Sequence, residues 1–288
     1  MEGHQALLRG QHSEIKKKKT GDWLAWLNLT GYLAMVVVNY LANALPINNL
    51  NTRQLSDKYP NLFVPAGFTF SIWGVIYLLL AIWVFFALKQ AITGRQVFPA
   101  FRTAGPFFFL TCLANVGWIF AWHYEQLILS LLIMLTLLAL LIIIYQRLSQ
   151  RPYEEIQHDR FPARWPFSIY LAWISVATVA NTTAVLVGHN WNGFGLSQQF
   201  WTVVVLAVVT TLTLIFVLKK KDLWFGLTAI WALFGILYKR LQDTAASDRA
   251  VEITAIASLV LMAVAIIKSL INKGKTSDSK LLAVGNHK

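Results

Sequence analysis

Uncharged apolar runs alternate with short polar segments along this chain. The runs from about Trp23 to Leu45, Pro65 to Leu88, Thr103 to Tyr124, Gln126 to Gln146, Trp165 to Val187 and Gln199 to Leu218 lead the pattern. Each is long enough to cross a hydrocarbon core of about 30 Å as a helix. Leu223–Tyr238 makes a shorter seventh run. Ile253–Ile267 makes an eighth, extended if Glu252 and Lys268 reach the interfaces. The pattern predicts an all-α integral membrane protein with eight spans. Residues 1–22 and 272–288 read as polar tails, disordered and cytoplasmic.

Composition agrees with this class. Hydrophobic residues make up 57% of the 288 residues and charged residues only 13%, against roughly 25% in soluble domains. The net charge of +12 does not mark a nucleic-acid binder, because the basic residues are spread over tails and loops. With both termini cytoplasmic, all but five of the 25 Lys and Arg lie on the inside, the five being Arg53, Lys58, Lys239, Arg240 and Arg249. That bias is the usual orientation signal. The expected partner is the lipid bilayer, in a bacterial cytoplasmic membrane. The first 22 residues carry no short apolar region of the kind a cleaved secretory signal needs. The single cysteine, Cys112, excludes an intrachain disulfide.

Several spans carry a polar and aromatic stripe. Trp173, Ala177 and Asn181 fall at i, i+4 and i+8, so they share a helix face. An amide in hydrocarbon is costly without a partner, so this face is expected to turn inward. Trp73 and Tyr77 are i, i+4 neighbours, and Asn115, Trp118 and Trp122 share a third face. Trp23, Trp165, Trp191, Trp201 and Trp224 sit at span ends, as interfacial anchors do. In the first long connection, Asn51–Tyr59 is predicted to form a short helix capped by Asn51 and stopped by Pro60. That connection is either a lid over a pocket or an interfacial loop.

Chemistry-bearing groups are scarce. No Asp, Glu, Lys or Arg falls inside the uncharged cores, which argues against an ion-coupled pump or transporter. The six His sit in tails, loops or span ends without paired ligand spacing, so no structural metal site is expected. Asn28-Leu-Thr and Asn181-Thr-Thr match the glycosylation pattern but lie within spans.

Three motifs in order carry a family resemblance. Tyr170-Leu-Ala-Trp173, followed by Ala177, Thr178 and Asn181, resembles the fifth-helix signature of the translocator protein family, also called tryptophan-rich sensory proteins (TspO/MBR). Pro65-Ala-Gly-Phe68 followed by Ile72-Trp-Gly-Val-Ile-Tyr77 is similar to the start of that family's second helix, with one residue fewer between aromatic and Trp. Asn115-Val-Gly-Trp118 resembles the third-helix Asn-x-x-Trp. The resemblance spans residues 23–190, a five-helix module. Residues 199–271 then add three membrane helices beyond the usual five.

The resemblance implies more than composition can. Members bind tetrapyrroles such as protoporphyrin IX and, in animals, cholesterol and synthetic ligands. Some bacterial members promote light-dependent porphyrin breakdown, for which Trp residues in helices two and five matter. Trp73 and Trp173 match those positions, while Trp118, Ala177 and Asn181 match pocket-lining ones. The family's sterol-associated segment needs a Tyr and a basic residue, and Thr182–Gly188 supplies neither.

The expectation is therefore a sensor-like membrane protein that binds a planar hydrophobic ligand, a porphyrin or haem-like tetrapyrrole, with no required cofactor; light-dependent breakdown of the bound porphyrin is an activity the resemblance leaves open. A homodimer is compatible with it. Trp73 and Trp173 would be stacking walls, Asn115 and Asn181 polar fixers, Tyr77 and Trp118 supporting lining with Ala177 as the gap. Two alternatives stay open on sequence: an uncoupled carrier for a small hydrophobic solute, and a structural protein whose aromatic faces only pack helices.

Overall fold

The computed structural model describes residues 2–45, 47–94, 100–151, 160–242 and 249–285, with side chains for 23–45, 47–94, 100–151, 161, 163–242 and 249–272. Nine α-helices and no strand are present among the described residues. In chain order they are α1 (Glu2–Ala44), α2 (Thr52–Asp57), α3 (Ile72–Thr93), α4 (Ala100–His123) and α5 (Leu127–Ser149). They continue with α6 (Trp165–Gly188), α7 (Gln198–Leu218), α8 (Leu223–Gln242) and α9 (Arg249–Gly285). Helices are the outcome lipid dictates for such runs, because a backbone in hydrocarbon must satisfy its own hydrogen bonds. The chain is an all-α, multi-pass integral membrane protein.

Among the described residues, seven segments are long and apolar enough to cross a membrane. They correspond to seven of the eight expected spans. The remaining one, α8, is 20 residues long, but Lys239 and Arg240 occupy its last turn and lower its apolar character. Both terminal helices outrun their spans. α1 starts at Glu2 and α9 ends at Gly285, where disordered tails were expected. Lys, Leu, Gln and Glu favour helix, and neither extension holds a proline.

The short helix expected after the first span forms as α2. Asn51 Oδ1 accepts from the Gln54 amide at 2.9 Å, and Gln54 Oε1 accepts from the Asn51 amide at 2.9 Å. This reciprocal pair is a capping box, which satisfies two otherwise orphaned donors. The helix ends at Asp57, ahead of Pro60.

The chain divides into two compact units, Met1–Leu55 with Ser71–Leu171, and Ser56–Phe70 with Ala172–Lys288. The boundary between them runs through the continuous helix α6.

In the first unit α4 packs against both α1 and α5, and α1 also packs on α3. Small residues permit the close approach of α1 and α4. A Cβ at Gly105 would press on Leu24 at 2.7 Å, and one at Gly31 on Phe109 at 2.8 Å. The unit's core is aromatic: Trp83, wholly buried, is surrounded by Phe101, Phe108 and Phe167 at ring distances of 5.4, 4.5 and 5.4 Å. The leucine-rich α5 leaves Ile128, Leu129, Leu132 and Leu135 exposed, as a lipid-facing surface requires, while Met134, Leu137, Leu141 and Ile144 are buried.

In the second unit α9 packs on α7 and α8. Val217, Ala265 and Ile266 form its buried centre, lined by Leu214, Leu223 and Ile230. Phe216 stacks on Phe225 at 3.9 Å. The tight turn between α7 and α8 is closed by Asp222, whose Oδ1 accepts from the Phe225 amide at 3.2 Å.

Candidate functional site

The residues expected to form the site fall into two groups, one in each unit. Trp73, Tyr77, Asn115 and Trp118 belong to the first unit, and Trp173, Ala177 and Asn181 to the second.

In the first unit Asn115 is the polar hub. It is fully buried on α4, where an unsatisfied amide would be expensive. Both ends of its side chain are engaged. Its Oδ1 accepts from Asn39 Nδ2 at 2.6 Å, and its Nδ2 donates to the Tyr170 hydroxyl at 3.2 Å. Asn39, on α1, also donates to the Met35 carbonyl at 2.8 Å. Helices α1, α4 and α6 are thus joined by neutral side-chain bonds.

Aromatic rings continue the constellation. Trp73 meets Tyr170 edge-on, with ring centroids 5.9 Å apart, and stacks on Tyr77 at 5.5 Å with an interplanar angle of 21°. The stack is the i, i+4 relationship expected on α3. Tyr32 on α1 donates from its hydroxyl to the Tyr77 carbonyl at 3.0 Å. The Tyr77 hydroxyl itself is buried and has no hydrogen-bond partner among the described residues. Trp118, buried one turn beyond Asn115, stacks on Trp122 at 6.0 Å and 13°.

Chemically this cluster is neutral. Asn39, Asn115, Tyr170, Tyr77 and Trp73 supply amide, phenol and indole groups, and none is an ordinary acid or base near neutral pH. The cluster can stack against a flat apolar surface and offer a phenol hydrogen bond.

In the second unit α6 carries Trp173 and Asn181 buried, with Ala177 half-buried between them. The inward face expected from their spacing is therefore present. Phe70 meets Trp173 edge-on at 6.1 Å and 82°. Polar side chains along α6 bond locally: Thr178 donates to the Ile174 carbonyl at 2.7 Å and Thr182 to the Thr178 carbonyl at 2.8 Å.

The histidines play other parts. His123 is buried at the end of α4, with Nδ1 2.8 Å from the Ile119 carbonyl. His189 is exposed and makes the same local contact with Val185. Side chains of the other four His lie outside the described residues. No group of three or more His, Cys, Asp or Glu that could hold a metal is present among the described residues.

Sequence reasoning missed Asn39, Tyr170 and Phe70 as site residues. A signal existed for two of them. Asn39 sits in an uncharged span, where the argument applied to Asn181 holds equally, and Tyr170 opens the fifth-helix motif.

A family model described as TSPO-like protein matches residues 25–268. The matched stretch takes in α7, α8 and most of the membrane-spanning part of α9, so it extends well beyond residue 190. No curated protein and no solved structure matches the chain.

Proposed function

Because the chain belongs to the TSPO-like protein family, we propose that it binds a planar hydrophobic ligand, a tetrapyrrole of the porphyrin type, within the membrane and in a sensory or regulatory capacity. The observation that carries this reading is the Trp73 ring in contact with both Tyr170 and Tyr77, with Tyr170 bonded to the Asn115 amide that Asn39 also meets. Flat apolar walls with a few fixed polar groups suit a rigid, planar ligand. The neutrality of the cluster adds a constraint. Charged substituents on the ligand would have to stay near the headgroups, because burying an uncompensated charge in the span is costly.

On the second unit, taken by itself, Trp173 and Asn181 offer the same chemistry and are proposed as ligand contacts in their own right, with Ala177 as the small residue between them. The same reading puts the protein in a bacterial cytoplasmic membrane, and the concentration of Lys and Arg in alternate connections gives its orientation there.

The experiment is an equilibrium titration of protoporphyrin IX into detergent-purified protein, followed by the porphyrin's absorbance. Saturation at a fixed stoichiometry is expected, weakened about fivefold in Tyr77→Phe, the equivalent of one lost hydrogen bond of about 1 kcal/mol. Linear, non-saturating uptake equal to that of empty micelles would refute the proposal.

A further inference from the structure

The connection between α2 and α3 is bound along its length to α8. Both elements belong to the second unit. Near the start of the connection, Lys239 Nζ lies 2.7 Å from Asp57 Oδ1. Further on, the Ala66 amide donates to the Gly235 carbonyl at 3.0 Å. Trp231 Nε1 donates to the Thr69 carbonyl at 3.0 Å. Between these two bonds Phe68 packs its ring against Trp231, Phe234 and Tyr238 at 5.5, 6.0 and 5.3 Å.

The approach is close enough to require glycine. A Cβ at Gly235 would run into the Thr69 side chain, which is wholly buried. A carbonyl has two lone pairs, so Gly235 can accept from Ala66 without giving up its place in the helix ladder. The residue after Thr69 is Phe70, the ring that meets Trp173 edge-on. A fixed backbone at Thr69 therefore fixes where the Phe70 ring stands.

We infer that α8 acts as the positioning element for Trp173: Gly235 and Trp231 hold Thr69, and through it Phe70 sets the orientation of the Trp173 ring. This gives the C-terminal helices a direct part in ligand recognition. On this inference the connection serves as a fixed support. The inference rests on Trp173 being a ligand contact. Edge-to-face pairs favour a defined geometry, and a ring already held in its bound orientation loses less freedom on binding.

A second glycine of α8 supplies the control. A Cβ at Gly226 would press on Ile266 at 3.2 Å and on Val217, so Gly226→Ala crowds the packing of α8 against its neighbouring helices and leaves the connection untouched. The test titrates protoporphyrin IX, read by porphyrin absorbance, into wild type, Gly235→Ala, Gly226→Ala, Trp231→Phe and the double variant Gly235→Ala with Thr69→Ala. Thermal midpoints are recorded alongside.

Gly235→Ala is expected to weaken binding roughly tenfold, through loss of preorganisation. Trp231→Phe, which keeps a ring but loses the N–H, should weaken it less, in the same direction. The added Thr69→Ala removes Oγ1 and Cγ2, the two nearest atoms a new Cβ would strike, leaves only the Thr69 Cβ at 2.9 Å, and should recover most of the affinity. Gly226→Ala should lower the midpoint and leave affinity alone. Should Gly235→Ala fail to fold, Trp231→Phe still decides. Saturable wild-type binding that is indifferent to Gly235→Ala and Trp231→Phe, or equally weakened by Gly226→Ala, overturns this inference alone. Absence of saturable binding in wild type overturns the ligand proposal and this one with it.

Discussion

Asn39 on α1 donates from Nδ2 to Oδ1 of Asn115 on α4 across 2.6 Å, joining two residues 76 positions apart in the chain. Both side chains are buried. Each would be a liability in hydrocarbon without the other, and together they fix how α1 is rotated against α4.

Replacing both members should therefore cost less than the sum of the two single replacements. Asn39→Ala leaves Asn115 with an unfilled acceptor and is expected to cost about 1–3 kcal/mol. The coupling itself should be smaller, about 0.6 kcal/mol by analogy with other interhelical bonds in membranes. Thermal unfolding of the two single variants and the double variant measures it as a cycle. Strict additivity would show that the bond contributes nothing.

Trp83 anchors the aromatic core of the first unit. Trp83→Ala removes a fully buried ring from among three phenylalanines and is expected to cost about 3–5 kcal/mol. Trp83→Phe should be far milder. It keeps a ring, and it removes an indole N–H that has no hydrogen-bond partner among the described residues. Thermal midpoints that fall equally in both variants would contradict the packing account.

Not every visible contact matters equally. The Asp57–Lys239 pair is only partly buried, at 43% and 31% exposed. Lys239→Gln is expected to change stability by less than about 1 kcal/mol, and less still at high salt. A larger loss in the thermal midpoint would show that the ion pair, rather than Gly235 and Trp231, holds the connection to α8.

The capping box at α2 is a local device. Asn51→Ala is expected to cost about 0.5–2 kcal/mol, concentrated in that one turn. Hydrogen exchange should quicken at the amides of residues 53–55 while those of α4 stay protected.

Much of the fold was legible because span length and charge exclusion are properties of the local sequence. Seven of the eight expected spans met the length and apolarity of a crossing helix. The shortfall at α8 comes from Lys239 and Arg240, which the same pattern of charges displays. The terminal extensions were misjudged, because a polar composition says a segment will not be buried and says little about whether its backbone is helical.

The site was legible only in part, for a geometric reason. Helical spacing puts Trp73 with Tyr77, and Trp173 with Asn181, on shared faces. It cannot say how each helix is rotated against another, so the bonds from Asn39 through Asn115 to Tyr170 were invisible. The second-helix motif shows the same limit. The stretch between Phe68 and Trp73, one residue short of the family's usual spacing, falls on a 3-10 turn at Gly67–Ser71. Helical spacing does not run across that turn, and the contacts of Phe68 with α8 and of Phe70 with Trp173 could not be read from it.

Trp73 on α3 and Trp173 on α6 are each proposed as contacts for a planar ligand. The most direct measurement is the dissociation constant of protoporphyrin IX for wild type, Trp73→Phe and Trp173→Phe in detergent, with folding confirmed by circular dichroism. The account expects saturable binding to wild type and affinity lower by roughly tenfold in each variant, as the loss of a stacking indole implies. Saturable binding of equal strength in all three folded proteins would contradict it.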